Sequence, residues 1–278
     1  MSRRHDELIS RRWFLRYGGL GLLGWLAAAC GLRVEPPATP LPGPVPPTAT
    51  AAPSPLPPRP TAVPPPSPTP TVRRVAPSEL LHNENRPGFY IRYVKPFPPP
   101  DAEAWRLAVE GLVAEPITLS LDEIEARLPL VEQVSRLKCV ECWSAKAEWG
   151  GFTYQALAEL VQPLSEATHV HMQCLDGYWE VLPIEELARP RALFVHRMNG
   201  ERLPPPYGSP LRLILPWLYG YKGAKAIATL EFKAEGGRGY WSTVAAYSPE
   251  GVIQPGFDHP LDLEDKSRQI EGGEITDY

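Results

Sequence analysis

Residues 36–70 set the first limit on what this chain can fold into. The run is mostly Pro, Ala, Thr and Ser, carries Arg59 as its one charge, and holds 17 of the chain's 36 prolines. Each proline fixes its own φ and lacks an amide donor, so such a run joins neither a helix interior nor a central strand. Its few apolar side chains cannot offset the entropy of ordering, and the backbone stays extended, largely as polyproline II. At about 3.1 Å per residue, the run reaches on the order of 100 Å. Residues 31–74 are therefore expected to form a disordered stalk, leaving residues 75–278 to fold. That is roughly 200 residues, enough for one sizeable core. The formal net charge of −4 comes without a basic stripe, which argues against nucleic acid as a partner.

The segment before the stalk reads as an address. Ser10-Arg11-Arg12-Trp13-Phe14-Leu15-Arg16 resembles a twin-arginine export signal. The apolar run over 17–29 is shorter than the about 20 residues that a membrane span needs. Leu26-Ala-Ala-Ala-Cys30 resembles a lipobox, which implies lipidation at Cys30 and a cleaved signal over residues 1–30. An uncleaved anchor is the alternative. Both readings place the folded domain outside the cytoplasm, in a periplasm or on the outer face of the cell membrane, tethered through its N-terminus. The twin-arginine route carries folded proteins, often with a cofactor already inserted, so this resemblance favours a cofactor-bearing domain.

Within the folded part, residues 106–113 alternate and end near Glu115-Pro116, which predicts a strand and a turn. Ser120, followed three residues on by Glu123, predicts a capped helix with Leu121, Ile124 and Leu128 on one face and Pro129 as its stop. A strand over 131–140 carries Cys139 at its end, and an amphipathic helix over 154–161 stops at Pro163. Residues 169–174 alternate as a strand, with His169 and His171 on one side as structural residues, and 183–187 form a short helix. Further strands are expected over 192–197, 211–215, 226–232 and 240–246. Strands outnumber helices and their order is irregular. The fold class is α+β, with mixed, largely antiparallel sheets and short helices, not a doubly wound sheet.

Candidate chemistry gathers in four stretches. Cys139 stands in Arg136-Leu-Lys-Cys-Val-Glu-Cys-Trp-Ser144, with Trp149-Gly-Gly151 just beyond. Two cations flank this thiol, and a soft ionised sulfur in such a setting ligates metals. Upstream lie Phe89-Tyr-Ile-Arg-Tyr93 and Trp105-Arg-Leu-Ala-Val-Glu-Gly111. Downstream, Asn199-Gly-Glu-Arg-Leu-Pro-Pro205 leads into Tyr207-Gly-Ser-Pro-Leu-Arg-Leu213, and Pro216-Trp-Leu-Tyr-Gly-Tyr-Lys-Gly-Ala-Lys225 follows. Taken singly, Arg212, Lys222 and Lys225 read as solvated charges, and Trp143, Trp149 and Trp217 as core residues. Together and in this order, the stretches resemble the sulfite-oxidase-like molybdopterin-dependent oxidoreductases, in particular the catalytic subunits of bacterial protein-methionine-sulfoxide reductases.

That resemblance implies the sulfite-oxidase molybdopterin-binding fold over residues 75–278, a molybdenum–molybdopterin cofactor, and Cys139 as metal ligand and catalytic residue. It further implies cofactor contacts at Tyr90, Arg92, Cys174, Tyr207, Arg212, Lys222, Gly223, Ala224 and Lys225. A pterin phosphate suits the fork of Arg212 and the point charges of Lys222 and Lys225. Gly220 and Gly223 would let backbone amides approach an anion. Arg136, Lys138 and Arg92 would favour an anionic substrate near the metal. Two positions depart from the family pattern: Tyr207 stands where relatives carry Asn or His, and Cys142 where they carry a small Ala or Gly.

The implied reaction is oxygen-atom transfer, either sulfoxide reduction or sulfite-type oxidation, on a small-molecule or protein-bound substrate. Trp143 replaces the His that a haem attachment site needs after Cys-x-x-Cys. The chain also stops soon after the cofactor domain, without the dimerisation domain of longer sulfite oxidases. Both features imply a separate membrane electron-transfer subunit as partner. Two other readings remain open from the residues alone. Cys139-x-x-Cys142 has the spacing of a thiol–disulfide pair, or, with Cys174 and His171, of a structural zinc site. A non-catalytic lipoprotein binding domain with a degenerate pocket is the other.

Overall fold

The computed structural model describes residues 76, 80–82, 89–264 and 266–276. The signal, the lipobox and the stalk expected before residue 75 lie outside them. In chain order the elements are β1 (Leu107–Gly111), β2 (Ile117–Leu119), α1 (Leu121–Arg127), β3 (Val131–Lys138), β4 (Trp143–Phe152), α2 (Tyr154–Val161), β5 (His169–Cys174), β6 (Trp179–Pro183) and α3 (Ile184–Leu187). They continue as β7 (Leu193–Met198), β8 (Glu201–Arg202), β9 (Arg212–Ile214), β10 (Ile227–Lys233), α4 (Tyr240–Val244), β11 (Gly256–Pro260) and β12 (Arg268–Ile270).

The strands form two sheets. One runs β2-β1-β10-β5-β6, the other β12-β11-β4-β7-β8 with β3 added on β4 and β9 on β7. Only β1–β10 and β11–β4 pair in parallel; the remaining pairs are antiparallel. The α+β class with mixed, largely antiparallel sheets is the observed one.

Local chemistry sets the helix ends. Ser120 Oγ accepts from the Glu123 amide at 3.1 Å while Glu123 returns to the Ser120 amide at 2.7 Å, so α1 starts in a closed capping box. Thr153 caps α2 at 3.3 Å, and Gln162 ends it in the left-handed region with Pro163 behind. The two helices bury Leu121, Ile124, Leu157 and Val161 into a core shared with Leu107, Met172 and Phe232 of the five-stranded sheet. Each such side chain contributes about 1.5–3 kcal/mol. A second core, centred on Phe89, Trp143, Trp149, Leu193 and Ile214, belongs to the seven-stranded sheet.

Two expectations differ from the fold. Residues 240–246 alternate like a strand, yet Tyr240–Val244 is a helix. Tyr240 sets its ring edge-on to Trp179 at 4.9 Å and to Trp241 at 5.2 Å, and this ring packing overrides a weak strand preference. The ten-residue strand β4 was not expected, because Gly150-Gly151 reads as punctuation. A Cβ at Gly151 would lie 1.9 Å from Phe194 O, so glycine is what lets β4 approach β7 at their register shift.

Candidate active site

β3 and β4 pair from Val131↔Gly151 to Lys138↔Ser144, and the Cys139 amide donates to Trp143 O at 2.8 Å to close their hairpin. Alternation along β3 then sorts the side chains. Leu137 and Cys139 face a cavity of about 350 Å³, while Arg136 and Lys138 face away from it. Arg136 meets Asp262 at 2.7 Å and Lys138 meets Asp258 at 3.2 Å, with Ser144 donating to Asp258 at 2.6 Å. The expectation that Arg136 and Lys138 serve the substrate is thus corrected: both are buried and tied to aspartates of the 256–263 segment. Burial pushes the Cys139 thiol up to about 11, against the Glu141 amide, which favours the thiolate. A metal cation reverses that balance, since coordination deprotonates a thiol outright.

The cavity is also lined by Tyr90, Arg92, Tyr207, Arg212, Gly223 and Lys225. Arg212 on β9 and Lys225 are bridge partners, which sets them side by side. Arg212 is 4% exposed. Its hydrogen bond goes to Tyr207 O at 2.9 Å, its guanidinium lies 5.3 Å from the Trp149 ring, and its buried Nε has no partner. Burial lowers its pKa to about 10. Lys225 donates to Arg92 O and sits 3.7 Å from the Tyr93 ring. Burial, and then the Arg212 charge, push this ammonium down to about 7. Among the described residues no carboxylate pairs with Arg212 or Lys225.

Behind these cations a single 3-10 turn, Gly220–Lys222, presses onto β9: a Cβ at Gly223 would lie 2.7 Å from Leu213 O. Tyr207 packs its ring against Phe89 at 5.9 Å, and Tyr90 against Trp143 at 5.3 Å. Arg92 meets Glu141 at 3.1 Å.

Besides Arg136 and Lys138, three of the expected cofactor contacts do not line the cavity. Lys222 turns the other way, donating to Glu180 at 2.6 Å and to Pro249 O at 2.7 Å. Ala224 is fully buried in the larger core. Cys174 is buried at the end of β5, where burial raises its thiol well above the ordinary range. In their place the fold brings in Glu141, Asp176, Trp241 and Tyr247. Glu141 accepts from Arg92 and, at 3.5 Å, from the Trp143 indole. The Tyr247 phenol is raised first by burial and then by the charges of Cys139 and Glu141. No spacing in the sequence marks Trp241 or Tyr247. The facing of Arg136 and Lys138, by contrast, was readable from strand alternation.

One open alternative, the structural zinc site, can be compared with the placement of its residues. Among the described residues no group of three or more His, Cys, Asp or Glu side chains converges on a metal position. His171 instead bonds Glu235 O at 3.0 Å.

Fold and site together define a molybdopterin-binding oxidoreductase. Residues 94–241, more than half of the chain, match the model of the oxidoreductase molybdopterin binding domain, and the chain belongs to that family. The solved structure of the sulfane dehydrogenase SoxCD from Paracoccus pantotrophus has a similar fold, with a TM-score of 0.50 at 16% identity over 63% of this chain and 46% of that one. The chain thus spans about half of that protein's length, and the likeness is one of fold. The donor set fits the family's cofactor: a guanidinium and an ammonium side by side on the cavity, neither in contact with a carboxylate, suit a phosphate, and a soft sulfur suits molybdenum.

Proposed function

We propose that this chain is an extracytoplasmic molybdenum oxidoreductase that transfers an oxygen atom, with Cys139 as the protein's ligand to the metal. One observation carries the reading: the Cys139 sulfur shares a cavity with Arg212 and Lys225, two cations with no carboxylate in ion-pair contact among the described residues, Asp176 acting on Lys225 only from a distance. Arg212 Nε and Lys225 Nζ would hold the cofactor's phosphate, and the backbone at Gly223 would approach it closely. Tyr90 and Tyr207 would wall the ring system, and Arg92, held by Glu141, would stand at the mouth where an oxyanion arrives. When bound, the group supplies a two-electron redox couple at which oxygen is exchanged with the substrate.

In sulfoxide reduction the S–O bond breaks, two electrons and two protons enter, and water leaves. In sulfite-type oxidation water supplies the oxygen, and two electrons and two protons depart. A separate membrane-bound subunit would carry those electrons. The twin-arginine signal over 1–30, lipidation at Cys30 and the stalk over 31–74 would tether the enzyme outside the cytoplasm.

Metal analysis of the chain isolated through its own export route tests the reading, with about one molybdenum per chain expected for a single-cofactor domain. Cys139→Ser should alter the molybdenum spin signal and lower turnover by about a thousandfold or more. Turnover that survives the substitution removes Cys139 from its role. Paired assays with methionine sulfoxide and sulfite give the direction.

A further inference from the structure

The buried pair Glu180–Lys222 has no part in the chemistry above, yet it touches Tyr178 of the cavity lining and the segments that carry Tyr221, Trp241 and Tyr247. Glu180 Oε1 accepts from Lys222 Nζ at 2.6 Å and from the Val181 amide at 2.9 Å, and Oε2 accepts from the Tyr178 hydroxyl at 2.8 Å. Lys222 Nζ also donates to Pro249 O at 2.7 Å. A Cβ at Gly239, the N-cap of α4, would lie 2.2 Å from Glu180 Oε1, so the helix starts directly against the carboxylate. The two side chains are 1–2% exposed.

Four segments therefore meet at one ion pair: β6, the Gly220–Lys222 turn, the start of α4, and residues 248–251. Neighbouring bonds follow the same seam. Tyr221 donates to Ser248 O at 2.8 Å, and the Tyr219 amide donates to Gly251 O at 2.7 Å. These segments place Tyr178, Tyr221, Trp241 and Tyr247 on the cavity.

We infer that Glu180 and Lys222 are positioning residues, a self-neutralising cross-link that holds in place the aromatic wall in which Tyr221 meets Tyr247 at 4.9 Å and Tyr247 meets Trp241 at 5.7 Å. The Gly220–Lys222 turn packs on Leu137 and Lys138 of the Cys139 hairpin, and Gly223 packs on Leu213 beside Arg212, so the pair fixes where this wall stands relative to both. The inference rests on the reading of the cavity as the cofactor's. A lysine serving the phosphate would point into the cavity; this one has its donors on Glu180 and Pro249.

A mutant cycle on the full chain tests this. Lys222→Met leaves a carboxylate buried without its partner, so the unfolding midpoint of the cofactor-free chain should fall by about 10 °C and molybdenum per chain by about tenfold. The double variant Lys222→Met with Glu180→Gln removes both charges and should recover most of both quantities. In the metal-loaded fraction of Glu180→Gln, the KM for substrate should rise by about threefold or more. A double variant that regains its midpoint but stays poor in molybdenum would mean that Lys222 touches the cofactor directly, and overturns the inference. So does a double variant as unstable as Lys222→Met, single variants that change nothing, or a loaded Glu180→Gln enzyme with unaltered KM. A wild-type chain free of molybdenum refutes the cofactor reading instead, while the cofactor-free midpoints still report on the cross-link.

Discussion

Two pairs of cations near the Cys139 hairpin, all buried except the half-buried Lys225, are put to opposite uses. Behind β3, Arg136 and Lys138 are matched by Asp262 and Asp258, and Ser144 closes the cluster. On the cavity floor, Arg212 and Lys225 have a backbone carbonyl each and an aromatic face each, but no carboxylate. A buried charge is costly unless paired, and only the first set carries its own counter-charges. Residue type alone does not separate them. Their counter-charges do.

The largest effect should come from breaking the complete set. Asp258→Leu strands Lys138 in the interior, and the chain should lose about 3–5 kcal/mol of stability in denaturant unfolding. A loss below that range would mean that the two sets are not as different as their partners suggest. Arg212→Met tests the other side. Removing an unpaired buried cation should leave the cofactor-free chain as stable or more so, while inorganic phosphate loses its stabilising effect through an affinity drop of about 10–100-fold. A variant that is strongly destabilised, with phosphate binding intact, would reverse the comparison.

Lys225 sharpens it through pH. Its folded value of about 7 lies below the ordinary 10.5, so the folded state disfavours the charged form. Between those values the unfolded chain binds more protons, and stability rises with pH across that window; below 7 the penalty is complete and flat. Lys225→Met should remove the slope, a change of about 1–2 kcal/mol after allowance for water in the cavity. Phosphate should bind best below pH 7 and weaken above it, as read by titration calorimetry. The smallest effect belongs to the hairpin between the two sets. Cys142 has φ +68°, a left-handed conformation in which a side chain is strained. Cys142→Gly should raise stability by about 1 kcal/mol in the same denaturant assay.

Much of the fold was legible where neighbours in sequence are neighbours in space. The Ser120–Glu123 box and the Thr153 cap are satisfied within one turn, so both helices could be read directly. The Cys139 run, Arg212 and the 219–225 turn could be singled out because their residue types suit a metal and a phosphate. Legibility failed where a partner from far along the chain decides. Glu180 draws Lys222 away from the cavity, ring packing turns 240–244 into a helix, and Trp241 and Tyr247 reach the site only because α4 is seated there.

By itself, then, the sequence determined the α+β class, the capped helices and the group of residues from which the site is drawn, because caps, alternation and charge act over a few residues. Only the tertiary structure decided which cations are neutralised and which stay unpaired. That choice depends on acids more than a hundred residues away for Arg136 and Lys138, and more than forty for Lys222, brought into contact by the tertiary fold.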